Sequence, residues 1–397
     1  MKLIRRDLYL EKLSRVMHTP DIKVITGIRR CGKSKLMEAF IDELRRRDSS
    51  ANIIHVNYNL TEFEPLTEYH ALEQYVRARY AAGKDNYVFI DEVQMCPSFE
   101  KAINSLHASE CFDIYITGSN AFLLSSDLAT LFTGRTFEIK VFPFSFAEYL
   151  IYHELSDRYA ALDRYAEEGG MAGSYVYASR EDKYAYINDQ VFRSLIVRDI
   201  RAKHKLRTPD LLDHLADYLM DNIGNLTSVR RIEEALKNAR VMASDKTLSA
   251  YIGHLCRAFA FYRLRRYDLR GKRYLSSEDK YYLADHSFKY ARLGTKNMDY
   301  GHVYENIVAI ELLRRGYEVY IGKLWKNELD FVASRHSEKI YIQVSDDISR
   351  QETFAREVTP LLKVPDAYPK KLLARTRHAP FQHEGIEVCD IADWLAG

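Results

Sequence analysis

Residues 22–39 read IKVITGIRRCGKSKLMEA, the most informative pattern in the chain. A short β-branched run leads into a glycine-bounded loop, and a helix is predicted to open at Lys33. The loop fits the spacing G-x-x-x-x-G-K-[ST], with Gly27, Gly32, Lys33 and Ser34 at the four fixed positions. Backbone N–H groups in such a loop, together with the N-terminus of the following helix, bind the negative charges of a polyphosphate. The stretch therefore predicts a nucleotide-binding turn between a strand and a helix.

The polar residues of this P-loop have distinct predicted roles. Lys33 would place a positive charge on the β- and γ-phosphates, and the hydroxyl of Ser34 would be a ligand of Mg²⁺. ATP and Mg²⁺ are thus the predicted cofactors. The alternative is a strand-to-helix turn that contains glycine for structural reasons alone. The full predicted set of nucleotide-binding residues is Gly27, Ile28, Arg29, Arg30, Cys31, Gly32, Lys33, Ser34 and Lys35.

A second motif follows the strand predicted at residues 86–90. Its apolar run, residues 87–90, leads directly into Asp91 and Glu92, which is a Walker B pattern. Asp91 is predicted to hold Mg²⁺ through its water shell, and Glu92 to orient and deprotonate the attacking water. Two acids capping a surface strand are the alternative, but the preceding P-loop favours the catalytic interpretation.

Length and composition restrict the classes of protein that remain. The chain has 397 residues, which predicts two or three domains, and a net charge of only +2. Its five cysteines lie far apart with no C-x-x-C pair, so we expect a reducing compartment and no structural zinc. The charged N-terminus lacks a signal sequence, and no apolar run is long enough to cross a bilayer. A cytoplasmic protein with no membrane partner is predicted.

Strands and helices alternate through the first third of the chain. Strands are predicted at residues 52–58, 86–90 and 113–117, with helices at 33–47, 68–82 and 99–108. This alternation predicts a parallel sheet covered on both faces. Right-handed crossovers then bring the carboxyl ends of the strands, and both motifs, to one edge.

Two further positions are candidates for contact with the γ-phosphate. Ser119 and Asn120 follow the strand that is expected beside the P-loop strand, although an asparagine helix cap explains the spacing equally well. Arg135 lies in a turn before the strand predicted at residues 136–141. An arginine at such a turn can act as a finger that stabilises the charge of the transition state. A surface arginine is the alternative.

Five segments together carry a family resemblance. The combination resembles the prokaryotic AAA+-like ATPases whose C-terminal half is a domain of unknown function, and the similarity covers nearly the whole chain. The resemblance implies an N-terminal P-loop ATPase domain, with Asn120 or Ser119 as a sensor and Arg135 as the finger. The predicted catalytic residues are then Glu92, Lys33, Asn120 and Arg135. The segments are GIRRCGKS, YVFIDEV, ITGSNAFLLS, LFTGRTFEI and FPFSFAEYL.

The middle of the chain predicts a winged helix. Two amphipathic helices opened by serine caps, residues 228–237 and 244–258, precede two strand-like stretches at 261–267 and 272–284. Residues 225–275 contain twelve basic and four acidic residues, a local charge of +8. Such a surface fits contact with the phosphates of duplex DNA. An inert connector, or a face that pairs with an acidic partner, is the alternative.

The C-terminal residues resemble the PD-(D/E)XK nucleases. Glu305 lies on a predicted helix, Glu328 and Asp330 enter a strand, and the next strand contains Gln343. Those nucleases hold a divalent metal between the aspartate and a second acid, and a lysine helps to position the water. Gln343-Val344-Ser345 supplies neither the second carboxylate nor the lysine. A degraded nuclease site is therefore predicted, or a polar cluster that merely stabilises the domain.

The sequence predicts an α/β protein with a AAA+-like parallel sheet, a winged-helix unit and a nuclease-like α/β domain. The predicted ranges are 1–150 for the ATPase domain, 151–205 for a helical connector, 206–297 for the winged helix and 298–397 for the last domain. The predicted function is Mg²⁺-dependent ATP hydrolysis coupled to movement of the C-terminal half. The alternatives are an ATP-gated DNA nuclease and a nucleotide-binding module with little turnover. An arginine finger acting in trans would require a homo-oligomer, whereas a finger in cis would not.

Overall fold

A parallel sheet forms the core of residues 3–141 in the computed structural model, which describes residues 2–118, 132, 134–201, 204, 206, 208–269, 271, 273–294, 299–325 and 327–397. The strand order is β2-β3-β4-β1-β5, and every neighbouring pair is parallel. The predicted parallel sheet is therefore confirmed. Its strands are β1 (Ile22–Thr26), β2 (Asn52–Asn57), β3 (Asn86–Asp91), β4 (Asp113–Thr117) and β5 (Thr136–Lys140).

Helices pack around this sheet and bury its central strands. β1 and β3 are buried along their whole length, which fits the mostly apolar residues of both strands. The described helices of this unit are α1 (Asp7–Arg15), α2 (Lys33–Arg47), α3 (Tyr69–Arg77) and α4 (Phe99–Ala108).

The register of the strands defines two opposite edges. Ile25 of β1 pairs with Thr117 of β4, and Ile90 of β3 pairs with Ile116. The carboxyl ends of these three strands thus meet at one edge, as the alternation of strands and helices predicts. At the other edge, Ile22 pairs with Thr136, the first residue of β5.

Residues 142–397 form the second unit, which begins with short helices. The chain turns at Gly169-Gly170, where the N–H of Gly170 donates to Asp285 Oδ2 at 2.7 Å. Two π-helical segments, Tyr186–Phe192 and Leu195–Arg201, follow in the stretch predicted to be helical. The other helices of this part are α5 (Phe146–His153), α6 (Arg158–Glu168), α7 (Arg180–Ala185) and α8 (Pro209–Asp221).

Two capped helices and a hairpin occupy the stretch predicted as a winged helix. Helices α9 (Val229–Asn238) and α10 (Asp245–Arg257) begin after Ser228 and Ser244, whose hydroxyls accept backbone N–H bonds. Strands β6 (Phe261–Asp268) and β7 (Arg273–Leu283) then pair antiparallel.

The hairpin continues into a larger mixed sheet. β6 pairs in parallel with β8, so the eight-stranded order is β12-β13-β11-β10-β9-β8-β6-β7. The sheet thus joins strands on both sides of the predicted boundary at residues 297 and 298. The remaining elements are α11 (Ser287–Leu293), α12 (Tyr300–Arg314), β8 (Glu318–Leu324), β9 (Asn327–Arg335), β10 (Glu338–Ser345), α13 (Gln351–Leu362), β11 (Lys370–Ala374), β12 (Phe381–His383), β13 (Ile386–Asp390) and α14 (Ile391–Ala396).

Candidate nucleotide-binding active site

Two glycines shape the loop between β1 and α2. Gly27 has a φ of +146°, and a Cβ built there would lie 2.1 Å from the carbonyl oxygen of Val141. Gly32 has a φ of +98° and caps α2. Side chains are strained at both positions. Packing against Val141 therefore requires glycine at position 27, a reason that the motif alone does not reveal.

Lys33 is held inside this loop. Its side chain is buried, and its Nζ donates to the carbonyl oxygens of Gly27 at 3.0 Å and Ile28 at 3.2 Å. An ammonium group has three N–H donors, and two of them serve these carbonyls. The positive charge is thus fixed at the loop by the backbone around it.

The other loop residues divide into buried and outward-facing ones. Ile28 and Cys31 are buried, and burial raises the pKa of the Cys31 thiol, so it stays neutral. Arg30 is exposed and has a φ of +64°. Lys35 pairs with Glu38 at 2.6 Å on the exposed face of α2.

The end of β4 connects the two acids that follow β3. The hydroxyl of Thr117 donates to Asp91 Oδ1, and the backbone N–H of Glu92 donates to Thr117 Oγ1 at 3.2 Å. Asp91 is 1% exposed. Glu92 lies in the left-handed region, with a φ of +58°, and its carboxylate accepts a hydrogen bond from Gln94. Strained backbone of this kind is concentrated at functional sites.

Ser34 and Asp91 have the chemistry that Mg²⁺ prefers. Ser34 is the second residue of α2, and Asp91 ends β3 at the edge where the P-loop begins. A hydroxyl and a carboxylate are hard oxygen ligands, and Mg²⁺ is commonly bound by one or two such groups together with the oxygens of a nucleotide. These donors therefore fit the ion.

Arg135 lies at the opposite edge of the sheet from the P-loop. Its carbonyl accepts from the N–H of Ile22, at the start of β1, whereas Gly27 follows the end of that strand. Five residues of parallel strand span about 16 Å. The exposed side chain of Arg135 is therefore not brought to the P-loop of its own chain. Ser119 and Asn120 lie outside the described residues.

Sequence reasoning missed Arg6, Gln94 and Thr117. Arg6 precedes α1, is 6% exposed and donates from Nη1 to the carbonyl oxygen of Cys31 at 3.0 Å, so it supports the P-loop. The helical periodicity of α1 does not single out this arginine. Thr117 ends a strand that lies next to β1, and this position is the signal in the sequence that could have identified it.

The four residues of the predicted nuclease-like site are brought together around an unexpected lysine. Lys280 of β7 lies 2.8 Å from Glu305 Oε1, 2.7 Å from Glu328 Oε1 and 4.0 Å from Asp330 Oδ1. Gln343 accepts from the N–H of Asp330 at 3.2 Å and donates to Glu357 at 3.0 Å. The local sequence around Gln343 lacks a lysine and a second carboxylate. In the folded chain β7 supplies the lysine, and α13 supplies the carboxylate of Glu357.

Part of the basic charge between residues 225 and 275 is paired. Arg231 and Arg266 contact Glu278 at 3.3 and 2.8 Å, and Arg263 contacts Asp279 at 2.5 Å. Both acids lie just beyond residue 275, where the basic segment ends.

Among the helices that the structure describes, none is long and apolar enough to span a membrane.

Comparison with known proteins identifies two matching family models. An AAA domain matches residues 19–150, and a domain of unknown function (DUF8612) matches residues 159–299. The AAA match supports the predicted AAA-type ATPase, whereas the predicted nuclease-like fold finds no counterpart in either model.

Two curated relatives and one solved structure are similar to the chain. An uncharacterized Haemophilus influenzae protein is 35% identical over 397 residues, covering 99% of this chain and 98% of the relative. An uncharacterized Methanocaldococcus jannaschii protein is 25% identical over 365 residues, covering 88% and 78%. A Walker-type ATPase of Pyrococcus abyssi has a TM-score of 0.48 at 14% identity, covering 73% of this chain and 95% of that one. The chain belongs to the family of the Haemophilus influenzae protein, and its residues 19–150 match the model of an AAA domain.

Proposed function

We propose that the protein hydrolyses ATP at the edge of the five-stranded sheet, in a Mg²⁺-dependent reaction. The observation that carries this proposal is the hydrogen-bonded group of Asp91, Thr117 and Glu92, at the edge where the Lys33 loop begins. Phosphoryl transfer to water requires two carboxylates and a positive charge at the phosphates. Asp91 and Glu92 supply the carboxylates, and Lys33 supplies the ammonium.

Each group has one task in the proposed reaction. Lys33 uses its third N–H donor on a phosphate oxygen, and the loop amides hold the remaining charge. Glu92 accepts a proton from water as the water oxygen bonds to the γ-phosphorus. The bond to the β–γ bridging oxygen breaks, which releases ADP and phosphate. When bound, Mg²⁺ neutralises phosphate charge, and Ser34 and Asp91 would hold it.

The proposal extends to the rest of the chain. Hydrolysis in residues 1–150 would change the conformation of a helical connector at 151–205, a winged helix at 206–297 and a last domain at 298–397. Two capped helices followed by a hairpin support the winged-helix part. Exposed Lys246 and Arg265 support contact with duplex DNA.

Nucleotide binding and phosphate release by the full chain test the proposal. Lys33→Ala should abolish both, because it removes the ammonium from the loop. Lys84→Ala changes an exposed lysine in the same domain and should leave both unchanged. If wild-type protein binds ATP but releases no phosphate, the chain is a nucleotide-binding module rather than an ATPase. If Lys33→Ala binds and turns over like wild type, the proposed site is wrong.

A further inference from the structure

A buried lysine lies at the centre of the carboxylate cluster in residues 142–397. Lys280 is 4% exposed, and two elements of the fold supply the three acids around its Nζ. Glu305 comes from α12, and Glu328 and Asp330 come from β9. Tyr282, also on β7, donates its hydroxyl to Glu305 Oε1 at 2.6 Å. The lysine therefore connects the hairpin to a helix and to another strand of the same sheet.

The surroundings keep this lysine charged. Burial alone would lower the pKa of Lys280, but Glu305, Asp330 and Glu328 outweigh burial and raise it well above its usual value. Burial and the nearby Glu305 also raise the pKa of the Asp330 carboxyl group, which favours its neutral form. One ammonium thus shares a small volume with three acids, which is the arrangement by which a buried charge is normally compensated.

Hydrogen bonds already occupy several carboxylate oxygens of this cluster. Asp330 Oδ2 accepts from the N–H of Val344 at 2.9 Å, and Glu305 Oε1 accepts from both Lys280 and Tyr282. Glu357 accepts from Gln343 at one oxygen and from Arg356 at the other. In the described part of the chain, no group of three or more histidine, cysteine or acidic side chains is arranged to hold a metal.

Access does not explain why a metal fails to fit. The cluster opens on a cleft of about 710 Å³ that is lined by Glu305, Asp330, Gln343 and Glu357. Ions from solution can therefore reach these side chains. What opposes a dication is the ammonium of Lys280, which lies within 4.0 Å of three of the carboxylates.

We infer that the Lys280 ammonium is the resident cation of this cluster and takes the place that a divalent metal has in the nuclease-like site predicted from sequence. The cluster is therefore metal-independent, and its work is to hold β7 against α12 and β9. The inference does not depend on ATP hydrolysis.

Mn²⁺ titration of the full chain tests this inference by calorimetry and by the temperature of unfolding. All variants carry Asp91→Asn, which removes the other predicted metal ligand. The parent should show no Mn²⁺ binding that depends on Asp330. Lys280→Met removes the ammonium and keeps an unbranched side chain. It should gain Mn²⁺ binding that is at least ~tenfold tighter than any residual binding by the parent, and the ion should stabilise it, because the repelling charge is gone.

Three control variants make the test specific. Adding Asp330→Asn to Lys280→Met should abolish the new Mn²⁺ binding. Lys280→Arg keeps a cation and should remain insensitive to Mn²⁺. Lys363→Met removes an exposed lysine from the same unit and should behave like the parent.

Two results would overturn the inference. One is Mn²⁺ binding by the parent that disappears with Asp330→Asn. The other is a folded Lys280→Met protein with no gain in Mn²⁺ affinity. If Lys280→Met does not fold, the comparison of the parent with Asp330→Asn decides: equal Mn²⁺ binding supports a metal-independent cluster, and a loss with Asp330→Asn refutes it.

Discussion

Thr117 positions both acids of the candidate active site through one hydroxyl group. It donates to Asp91 and accepts from the backbone of Glu92, so it fixes the end of β3 relative to the end of β4. In the proposed mechanism Asp91 holds Mg²⁺, so Thr117 would influence activity by orienting that carboxylate.

We predict that Thr117→Val lowers kcat for ATP hydrolysis about tenfold or more, because losing the partner of a metal-binding carboxylate typically costs 10–100-fold. KM for ATP should change little, since the P-loop is intact. Thr117→Ser keeps the hydroxyl and should retain most of the activity. Steady-state phosphate release measures both parameters. Equal kcat values for the valine and serine variants would show that the hydroxyl has no positioning role.

Residues that come together from distant positions mark the limit of prediction from sequence. The sequence predicts a single site in the C-terminal residues, because its residues follow the layout of the PD-(D/E)XK nucleases. The residues are Glu305, Glu328, Asp330 and Gln343. Lys280 and Glu357 belong to the same cluster, but no local pattern connects them to it. The strand that contains Gln343 lacks the lysine of the nuclease motif. In the folded chain a different strand, β7, supplies a lysine to the same cluster.

Elements with strong local patterns were predicted well. The predicted bounds of α4 coincide with the structure, and α2 begins at Lys33 as predicted, because amphipathic spacing and the P-loop define them. β12 was not predicted, since it is three residues long and partly exposed, and β13 was not predicted either, although four of its five residues are buried. The parallel pairing of β6 with β8 was also missed, because it depends on contacts between distant parts of the chain.

The net charge of the basic segment also depends on residues that lie outside the segment. The segment with a charge of +8 ends at residue 275, but Glu278 and Asp279 on β7 neutralise three of its arginines. Neighbouring arginines on β6 consequently differ. Arg265 is exposed, whereas the side chain of Arg266 is 11% exposed and paired with Glu278.

This difference predicts distinct effects on binding to duplex DNA. Arg265→Ala should weaken binding at low salt and reduce the slope of log K against log salt by about 1, because one phosphate contact is lost. Arg266→Ala should leave the slope unchanged. Fluorescence anisotropy with a labelled duplex at several salt concentrations measures the slope for each variant. Identical slopes for wild type and Arg265→Ala, or no binding by wild type, would contradict a DNA-contacting surface.

The position of Arg135 has a consequence for assembly. Because it lies at the edge opposite to the P-loop, a finger role requires a second copy of the chain. We therefore propose that Arg135 acts in trans within a homo-oligomer. The sequence left cis and trans action open, since a turn before a strand does not reveal which edge of the sheet it occupies.

Mixing two inactive variants tests this proposal. Glu92→Gln keeps the finger and loses the base, and Arg135→Ala keeps the base and loses the finger. Random mixing in equal amounts should restore about a quarter of wild-type ATP turnover, because one interface in four then combines an intact base with an intact finger. Each variant alone at the same total concentration is the control. A mixture no more active than the two variants measured separately would contradict action in trans.

ATP turnover by Glu92→Gln, measured beside nucleotide binding, decides whether the sheet edge is a hydrolytic site. We predict that ATP binding is retained while phosphate release falls at least ~100-fold, the usual contribution of a general base. Glu62→Gln, at an exposed glutamate of the same domain, should match wild type in both measurements. If Glu92→Gln releases phosphate as fast as wild type, Glu92 does not activate water and the proposed active site is wrong.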